Sequence, residues 1–304
     1  TDTVSQAGTR AVPGITFYRG GGKTLKPQTG NSWSVGADLA PSFLPGFAVQ
    51  ITYFNNKLKG GVLSPSVGAE VSTPALQPKF TVCPTGCTQA QIDAKTAGLP
   101  LKSGTMPTVA YFLFDFSQAN VLYLHIGGID LNGQYSFDTA MGTFTVGDSL
   151  TEFTRYNYAA GQGVTSFSIL NTAGYNANFP SVQTRNRLNL GWTDSAFSID
   201  AFVNFTGSYR MWGPGTVNPL TFDANHNPNG GGDKVNSLTT LDLHAAYDFG
   251  GGILGGDQIY IDAKNLFDTA PPFIQGSTAG GRGYDRTVAN PLGRVVSIGF
   301  SAKF

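Results

Sequence analysis

Seven aromatic and arginine side chains in two glycine-rich stretches have the chemistry to bind another molecule. They are Tyr209, Arg210, Trp212, Phe273, Arg282, Tyr284 and Arg286. An arginine binds an anionic group through paired hydrogen bonds, and an aromatic ring packs against a sugar or aryl face. These residues are therefore candidates for solute binding. The alternative is that the rings lie at a membrane interface and the arginines contact phosphates or aspartates.

A pair of cysteines, Cys83 and Cys87, lies in the sequence VCPTGCTQAQIDAK. Two cysteines at this short spacing in an oxidising compartment predict a small disulfide. A zinc site would need more ligands, and no histidine lies nearby in sequence, so we predict no metal site. Thr88 and Gln91 have the spacing of a capping box, which predicts a short helix as far as about Ala97.

The sequence lacks the usual patterns of catalytic residues. The histidines are isolated from one another: His125, His226 and His244. No GxSxG turn, phosphate-binding glycine loop or HExxH helix occurs. Aspartates are more numerous, but five of them fall on the polar faces of predicted strands: Asp130, Asp138, Asp200, Asp242 and Asp262. We therefore predict no catalytic residue, no cofactor and no enzymatic activity.

The elements that would position these side chains are β-strands, because apolar residues alternate with polar or small ones at about nine places. The clearest segment is 129–138, where one face is apolar and the other is wholly polar. The other segments are residues 32–39, 47–53, 143–158, 183–193, 196–210, 238–249, 257–267 and 293–304. The sequence therefore predicts an all-β protein.

Composition argues against a solvated surface and against a nucleic-acid partner. Charged residues are 12% of the chain, about half the usual share of a soluble domain. Yet no run of 18 or more uncharged apolar residues occurs, which argues against a helical membrane span. The 19 basic residues are balanced by 19 acidic ones, so no electrostatic attraction to nucleic acid is expected.

The connections between the predicted strands alternate strictly between short and long. The short ones include PSFLPG and TAMG, whereas the long ones cover 59–120, 159–182, 211–236 and 268–291. A soluble β-sandwich would also have alternating strands, but it would not need this pattern. Short periplasmic turns and long extracellular loops are typical of an antiparallel transmembrane β-barrel in a bacterial outer membrane, in contact with lipid and lipopolysaccharide.

The chain ends in an apolar strand. Val296, Ile298, Phe300, Ala302 and Phe304 fall on one face of it. The last strand of a barrel must be paired to close the wall, and one of its faces meets lipid. We therefore predict that the last strand is an assembly signal for the barrel-assembly machinery. The residues that form this signal are Gly299, Phe300, Ala302 and Phe304.

A count of about nine strands is odd, whereas closed bacterial barrels have an even number. The first strand would then present an unpaired edge to lipid, where each unsatisfied backbone group costs several kcal/mol. Either the chain is the C-terminal part of a larger barrel, or the count differs by one from the true number.

Five segments together resemble a known family. GKTLKPQTGNSWSVGADLAPSFLPGFAVQITYF, at residues 22–54, resembles the mid-barrel segment of TonB-dependent outer-membrane receptors, with Gln28 in place of the usual glutamate. GGIDLNGQYSF at 127–137 resembles the family's Gly-Ile-Asp strand. LDLHAAYDF, IYIDAKNLFDTAPPF and NPLGRVVSIGFSAKF resemble its last three strands. The matches occur in the family's order.

The resemblance implies an about 22-stranded barrel whose lumen is filled by an N-terminal plug domain. Such receptors bind scarce large solutes, such as ferric siderophores, cobalamin or oligosaccharides, and import them with energy relayed by TonB. Residues 1–304 would be about nine C-terminal strands, with the plug domain, the TonB-binding segment and the first barrel strands outside this chain. A passive porin and a surface adhesin are the alternatives that the strand pattern leaves open.

Overall fold

The computed structural model describes residues 2–6, 10–18, 25–64, 79–100, 107–160, 165–172, 181–210, 221–222, 224, 228–229, 234–249, 257–274 and 283–302. Its strands are β1 (Asp2–Gln6), β2 (Arg10–Phe17), β3 (Thr29–Leu39), β4 (Phe47–Leu63), β5 (Phe80–Val82), β6 (Phe112–Asp115), β7 (Ala119–Thr139), β8 (Gly142–Ala160), β9 (Phe167–Ser168), β10 (Thr184–Asp194), β11 (Phe197–Thr206), β12 (Thr221–Phe222), β13 (Pro228–Asn229), β14 (Leu238–Asp248), β15 (Gln258–Lys264) and β16 (Val295–Ser301). The helix α1 spans Gln89–Thr96. Within these ranges no helix is both long and apolar enough to span a membrane.

The large sheet is a meander, in the order β16, β15, β14, β11, β10, β8, β7, β4 and β3, with β9 paired to β8. These nine main strands confirm the nine predicted segments. The register is antiparallel, as in the pairs Leu188 with Val203 and Ile261 with Ile298. Only one neighbour adjoins β3 and only one adjoins β16 within the described residues, so the sheet is open, as expected of part of a barrel.

Short turns join successive strands at one end of the sheet. Gly46 ends the first of them with φ +81°, and a side chain there would collide with the carbonyl oxygen of Ser136. Only glycine adopts this conformation without strain. Ser195, with φ +40°, occupies the two-residue turn between β10 and β11. We call this end the short-turn side and the opposite end the long-loop side.

One face of the large sheet is apolar. Apolar side chains on neighbouring strands lie opposite one another on this face, such as Val146 and Leu190, and Val203 and Leu241. Val146 and Leu190 are exposed although apolar, Val203 and Leu241 are half-buried, and Ile298 of β16 is 74% exposed. An extended apolar surface of this kind must meet another apolar phase. It is the face predicted to contact lipid.

Aromatic rings line the short-turn side of this apolar face. Phe137 and Phe144 stack with their centroids 5.7 Å apart, and the Phe197 and Tyr247 centroids are 4.7 Å apart. The Trp192 Nε1 group donates a hydrogen bond to a main-chain carbonyl at 2.7 Å. Rings with a polar edge are typical of the boundary between hydrocarbon and water.

The opposite face of the large sheet is polar, and side chains on neighbouring strands form hydrogen bonds across it. On β7 and β8, Ser149 donates to Asn132 at 2.9 Å and Thr151 donates to Asp130 at 2.7 Å. On β14 and β15, the His244 Nδ1 atom lies 2.7 Å from Asp262 Oδ1. These polar side chains partner ones on the next strand, as the lining of a water-filled space requires.

The chain forms two compact units, and the first contains elements that the sequence did not predict. Its small sheet has the order β1, β2, β6 and β5, with β2 and β6 parallel. The stretch 59–120 was predicted as one long loop, but β4 reaches Leu63, β7 begins at Ala119, and β5, α1 and β6 lie between them. β1 and β2 lie before the first predicted strand segment, which begins at residue 32.

Helix α1 and the disulfide stabilise this first unit. The Thr88 side chain accepts from the Gln91 N–H, and Gln91 accepts from the Thr88 N–H, which confirms the predicted capping box. Cys83 and Cys87 are joined, which confirms the predicted disulfide. The core beneath them is formed by Ile15, Phe17, Ile92, Ala110 and Leu113.

Candidate functional site

The second unit contains a packed cluster of loop residues at its long-loop side, which we call the loop cluster. Its apolar centre consists of Val182, Tyr209, Val235 and Ile274, with Val288 against it. Main-chain bonds tie the segments together, because Tyr209 bridges Val235 and the Ile274 N–H donates to the Gly283 carbonyl at 3.0 Å. Five separate segments of the chain therefore form one folded assembly.

A buried hydrogen bond lies at the centre of the loop cluster. The Tyr209 hydroxyl donates to Asp285 Oδ2 at 3.2 Å, and the two residues are 4% and 2% exposed. The other carboxylate oxygen accepts from the N–H and the hydroxyl of Thr287, at 2.9 and 2.6 Å. Burial raises the pKa of the Tyr209 hydroxyl well above its usual value, and the Asp285 carboxylate raises that pKa further.

The structure brings the described candidate residues together around this centre. Arg210 is exposed and bridges Thr172, Phe273 is 60% exposed, and Arg286 is exposed beside Asp285. Tyr284 is half-buried. Tyr209 is almost fully buried and supports the loop cluster from its apolar centre. Trp212 and Arg282 lie outside the described residues. A ligand-binding role for the seven candidates stays a prediction.

Arg187 is an exposed cation on the polar face. Its Nη1 atom donates to Asn204 Oδ1 at 2.8 Å, and its guanidinium carbon lies 4.1 Å from the centre of the Phe202 ring. Beside it, the polar face has an open depression of about 620 Å³ between β3, β4, β7, β8 and β10. Alternation puts Arg187 on the polar face of β10, but alternation alone does not distinguish one polar position from another.

A polar face, an apolar face and a cluster of long loops at one end are together the features of a barrel wall. A family model described as "TonB dependent receptor-like, beta-barrel" matches residues 2–266. The chain belongs to this family. TonB-dependent receptors of Gram-negative bacteria are outer-membrane proteins, and the predicted outer-membrane location is confirmed.

Solved TonB-dependent receptors share the fold at low sequence identity. The chain matches a mutant ferric enterobactin receptor (PfeA) from Pseudomonas aeruginosa with 17% identity and a TM-score of 0.54, over 95% of this chain and 33% of that one. It matches the FrpB iron transporter from Neisseria meningitidis with 12% identity and a TM-score of 0.50, over 94% of this chain and 32% of that one. It matches the ferric citrate transporter FecA with 13% identity and a TM-score of 0.50, over 91% of this chain and 32% of that one.

The chain thus spans about a third of the length of the receptors that it matches. No curated protein sequence matches it significantly. Across the described ranges, no three His, Cys, Asp or Glu side chains are grouped so that they could hold a metal ion.

The last strand of this receptor wall has a distinctive contact. The Tyr260 ring covers Gly299, and a side chain at Gly299 would collide with that ring. Phe300, on the other face, is 62% exposed, and Ala302 follows the end of β16. Phe304 lies outside the described residues. The assembly-signal role of these residues stays a prediction.

Proposed function

We propose that the protein is an outer-membrane receptor that takes up a scarce, large solute with energy relayed by TonB. The observation that supports this most directly is the loop cluster, which holds Arg210, Phe273 and Arg286 at the surface around a rigid buried centre. Surface loops positioned by a rigid scaffold are where binding residues usually lie. Cations and aromatic rings together suit a solute with anionic groups and aryl or sugar faces.

The rest of the proposal concerns segments beyond this chain. We propose that further barrel strands pair with the open edges of β3 and β16 and that a plug domain fills the lumen, which together would account for the greater length of the related receptors. Lipid and lipopolysaccharide would contact the apolar face, and the barrel-assembly machinery would recognise the last strand. The chemistry is transport, so no catalytic residue or cofactor is part of the proposal.

The solute class is proposed as siderophore-like, with cobalamin and oligosaccharides as further candidates. The receptors that share the fold carry ferric enterobactin and ferric citrate in their names. Both are multiply anionic iron complexes, for which exposed arginines are suitable partners. These two complexes are therefore the first probes to test.

The experiment measures uptake of ⁵⁵Fe supplied as each complex by cells in which the intact protein is the sole receptor. We expect uptake that stops when TonB is deleted and falls at least tenfold in the triple variant R210A/F273A/R286A. The control is Phe43→Ala, because Phe43 is 86% exposed but lies in a short turn. Uptake that persists without TonB would indicate a passive channel, and an unchanged triple variant would remove the loop cluster from solute binding.

A further inference from the structure

A cationic surface lies at the long-loop end of β4 and β7. The segments 25–31, 56–63 and 119–125 contain three lysines and no aspartate or glutamate. Two of the lysines are on β4, where Lys57 is half-buried and Lys59 is exposed. They are two positions apart, so both extend from the same face of the strand, about 7 Å from each other along it. A surface of this composition attracts anions.

Side-chain contacts hold this surface together. The Lys57 ammonium group lies 5.8 Å from the centre of the Tyr123 ring, which is a cation–π distance. The Asn120 side chain accepts from the N–H of Lys26, the third lysine, at 2.7 Å and donates to the Gly60 carbonyl at 2.6 Å. Three segments of the chain are therefore tied together beside the lysines.

The lysines of β4 lie on the face of the wall that is turned away from the lumen. Side chains alternate along the strand, so Lys57 and Lys59 share the face of Ile51, which is apolar and exposed. Tyr123 likewise shares the face of Ile129 on β7. Both neighbours of β4, namely β3 and β7, are strands of this chain. A plug domain in the lumen and further strands at the open edges would therefore leave this surface uncovered.

The height of the lysines matches the outer boundary of the apolar band. Phe47 and Tyr135 contact each other at the short-turn side, with their ring centroids 6.4 Å apart. Lys57 is ten positions along β4 from Phe47. His125 is ten positions along β7 from Tyr135. With a rise of about 3.3 Å per residue and a strand tilt of about 40°, each strand climbs about 25 Å over this distance, which is the height of the band. Because the long loops are predicted to be extracellular, the lysines face the headgroups of the outer leaflet.

We propose that Lys57 and Lys59 bind the phosphate groups of lipopolysaccharide on the outer surface of the wall. Each ammonium group donates charge-assisted hydrogen bonds to the phosphate oxygens. The Tyr123 ring lies at the headgroup level, where amphipathic rings are stable, and the acyl chains lie along the apolar face below it. This site rests on the proposed function only for the contact with lipopolysaccharide, not for the transport of a solute.

The test measures binding of lipid A, the phosphorylated anchor of lipopolysaccharide, to the intact protein in detergent micelles by native mass spectrometry. We expect lipid A to bind, and lipid A without its phosphates to bind about thirtyfold more weakly. The variant K57Q/K59Q should weaken lipid A binding about thirtyfold, and Lys59→Gln alone, at an exposed position, about fivefold. Inorganic phosphate in excess should not displace the lipid, because it makes no contact with the apolar face.

The matched control is the variant R185Q/R187Q. Arg185 and Arg187 are exposed and two positions apart on one strand, so this variant removes the same charge from the opposite, polar face. It should bind lipid A as the wild type does, and heat-modifiable migration on gels shows whether each variant is folded. The proposal is overturned if K57Q/K59Q binds lipid A as tightly as the wild type, if the control variant loses as much affinity, if the phosphates make no difference, or if inorganic phosphate displaces the lipid.

The outcome is independent of the uptake experiment. Lipid A binding that requires Lys57 and Lys59, in a protein that shows no TonB-dependent uptake, would keep this site and overturn only the transport proposal. Uptake by a protein that does not bind lipid A through these lysines would do the reverse.

Discussion

Asp148 is a polar side chain in the middle of the face predicted to meet lipid. It lies opposite Leu188, and its carboxylate accepts a hydrogen bond from the Asn186 amide at 2.6 Å. It lies four positions along β8 from Phe144 in the aromatic ring layer. With a rise of about 3.3 Å per residue and a strand tilt of about 40°, this places Asp148 about 10 Å inside an apolar band about 25 Å tall.

Replacing the pair should affect stability in a way that depends on which partner is changed. A cation at this depth costs about 2–4 kcal/mol and a carboxylate less, so removing the charge in Asp148→Leu should gain about 1–2 kcal/mol. The same change leaves the Asn186 amide without its partner, which costs about 1–3 kcal/mol. We therefore expect Asp148→Leu alone to be nearly neutral.

The other two variants separate the contributions. Asn186→Leu leaves a carboxylate without its hydrogen bond in hydrocarbon, so it should destabilise the protein by about 2 kcal/mol. The double variant D148L/N186L removes both polar groups and should be about 2 kcal/mol more stable than the wild type. The double-mutant cycle should thus give a coupling energy of about 4 kcal/mol between the two positions.

The assay is guanidinium-induced unfolding of the intact protein in lipid vesicles, followed by tryptophan fluorescence. Ser149→Leu is the control, because Ser149 is adjacent in sequence but lies on the polar face and donates to Asn132; it should not stabilise the protein. A double variant that is less stable than the wild type by more than about 1 kcal/mol would refute the assignment of this face to lipid.

Three further outcomes are expected. Alkylation without reductant should label neither Cys83 nor Cys87, and replacing both with serine should destabilise the first unit by about 2 kcal/mol, measured by urea-dependent proteolysis. The raised pKa of Tyr209 contributes stability that is present below its unfolded pKa of about 10 and is lost as the pH rises above that value. Tyr209→Phe should therefore reduce the alkaline loss of loop protection against protease, at the cost of about 1–3 kcal/mol at neutral pH from the lost hydrogen bond to Asp285. Gly299→Val should lower outer-membrane insertion, measured by heat-modifiable migration; normal insertion would show that the last strand tolerates a side chain there.

The strands of the large sheet could be predicted because their signal is local. Alternation within ten residues assigns each side chain of β10 to a face, and the turn composition sets the ends. The capping box of α1 is equally local, since Thr88 and Gln91 are three residues apart. By contrast, β5 and β6 are short, and β6 is buried, so neither shows alternation.

The candidate site could be predicted only in part. The sequence identified the two aromatic and arginine stretches, but the Tyr209 to Asp285 hydrogen bond joins residues 76 positions apart. Nothing in the local pattern distinguishes a tyrosine that supports a loop from one that contacts a ligand. The depression beside Arg187 depends on five strands in register, and that register comes from pairing across the sheet.

Across the described residues, each strand on the main path of the large sheet is hydrogen-bonded to the wall strands before and after it in the chain, and β8 also pairs with the short β9. A change in one long loop therefore acts directly on the two strands that the loop joins, and the other strands keep their hydrogen bonds. Loops can vary in length and sequence one at a time without loss of the wall. A lineage with such a wall can change the solute that it recognises in small steps, each of which still folds.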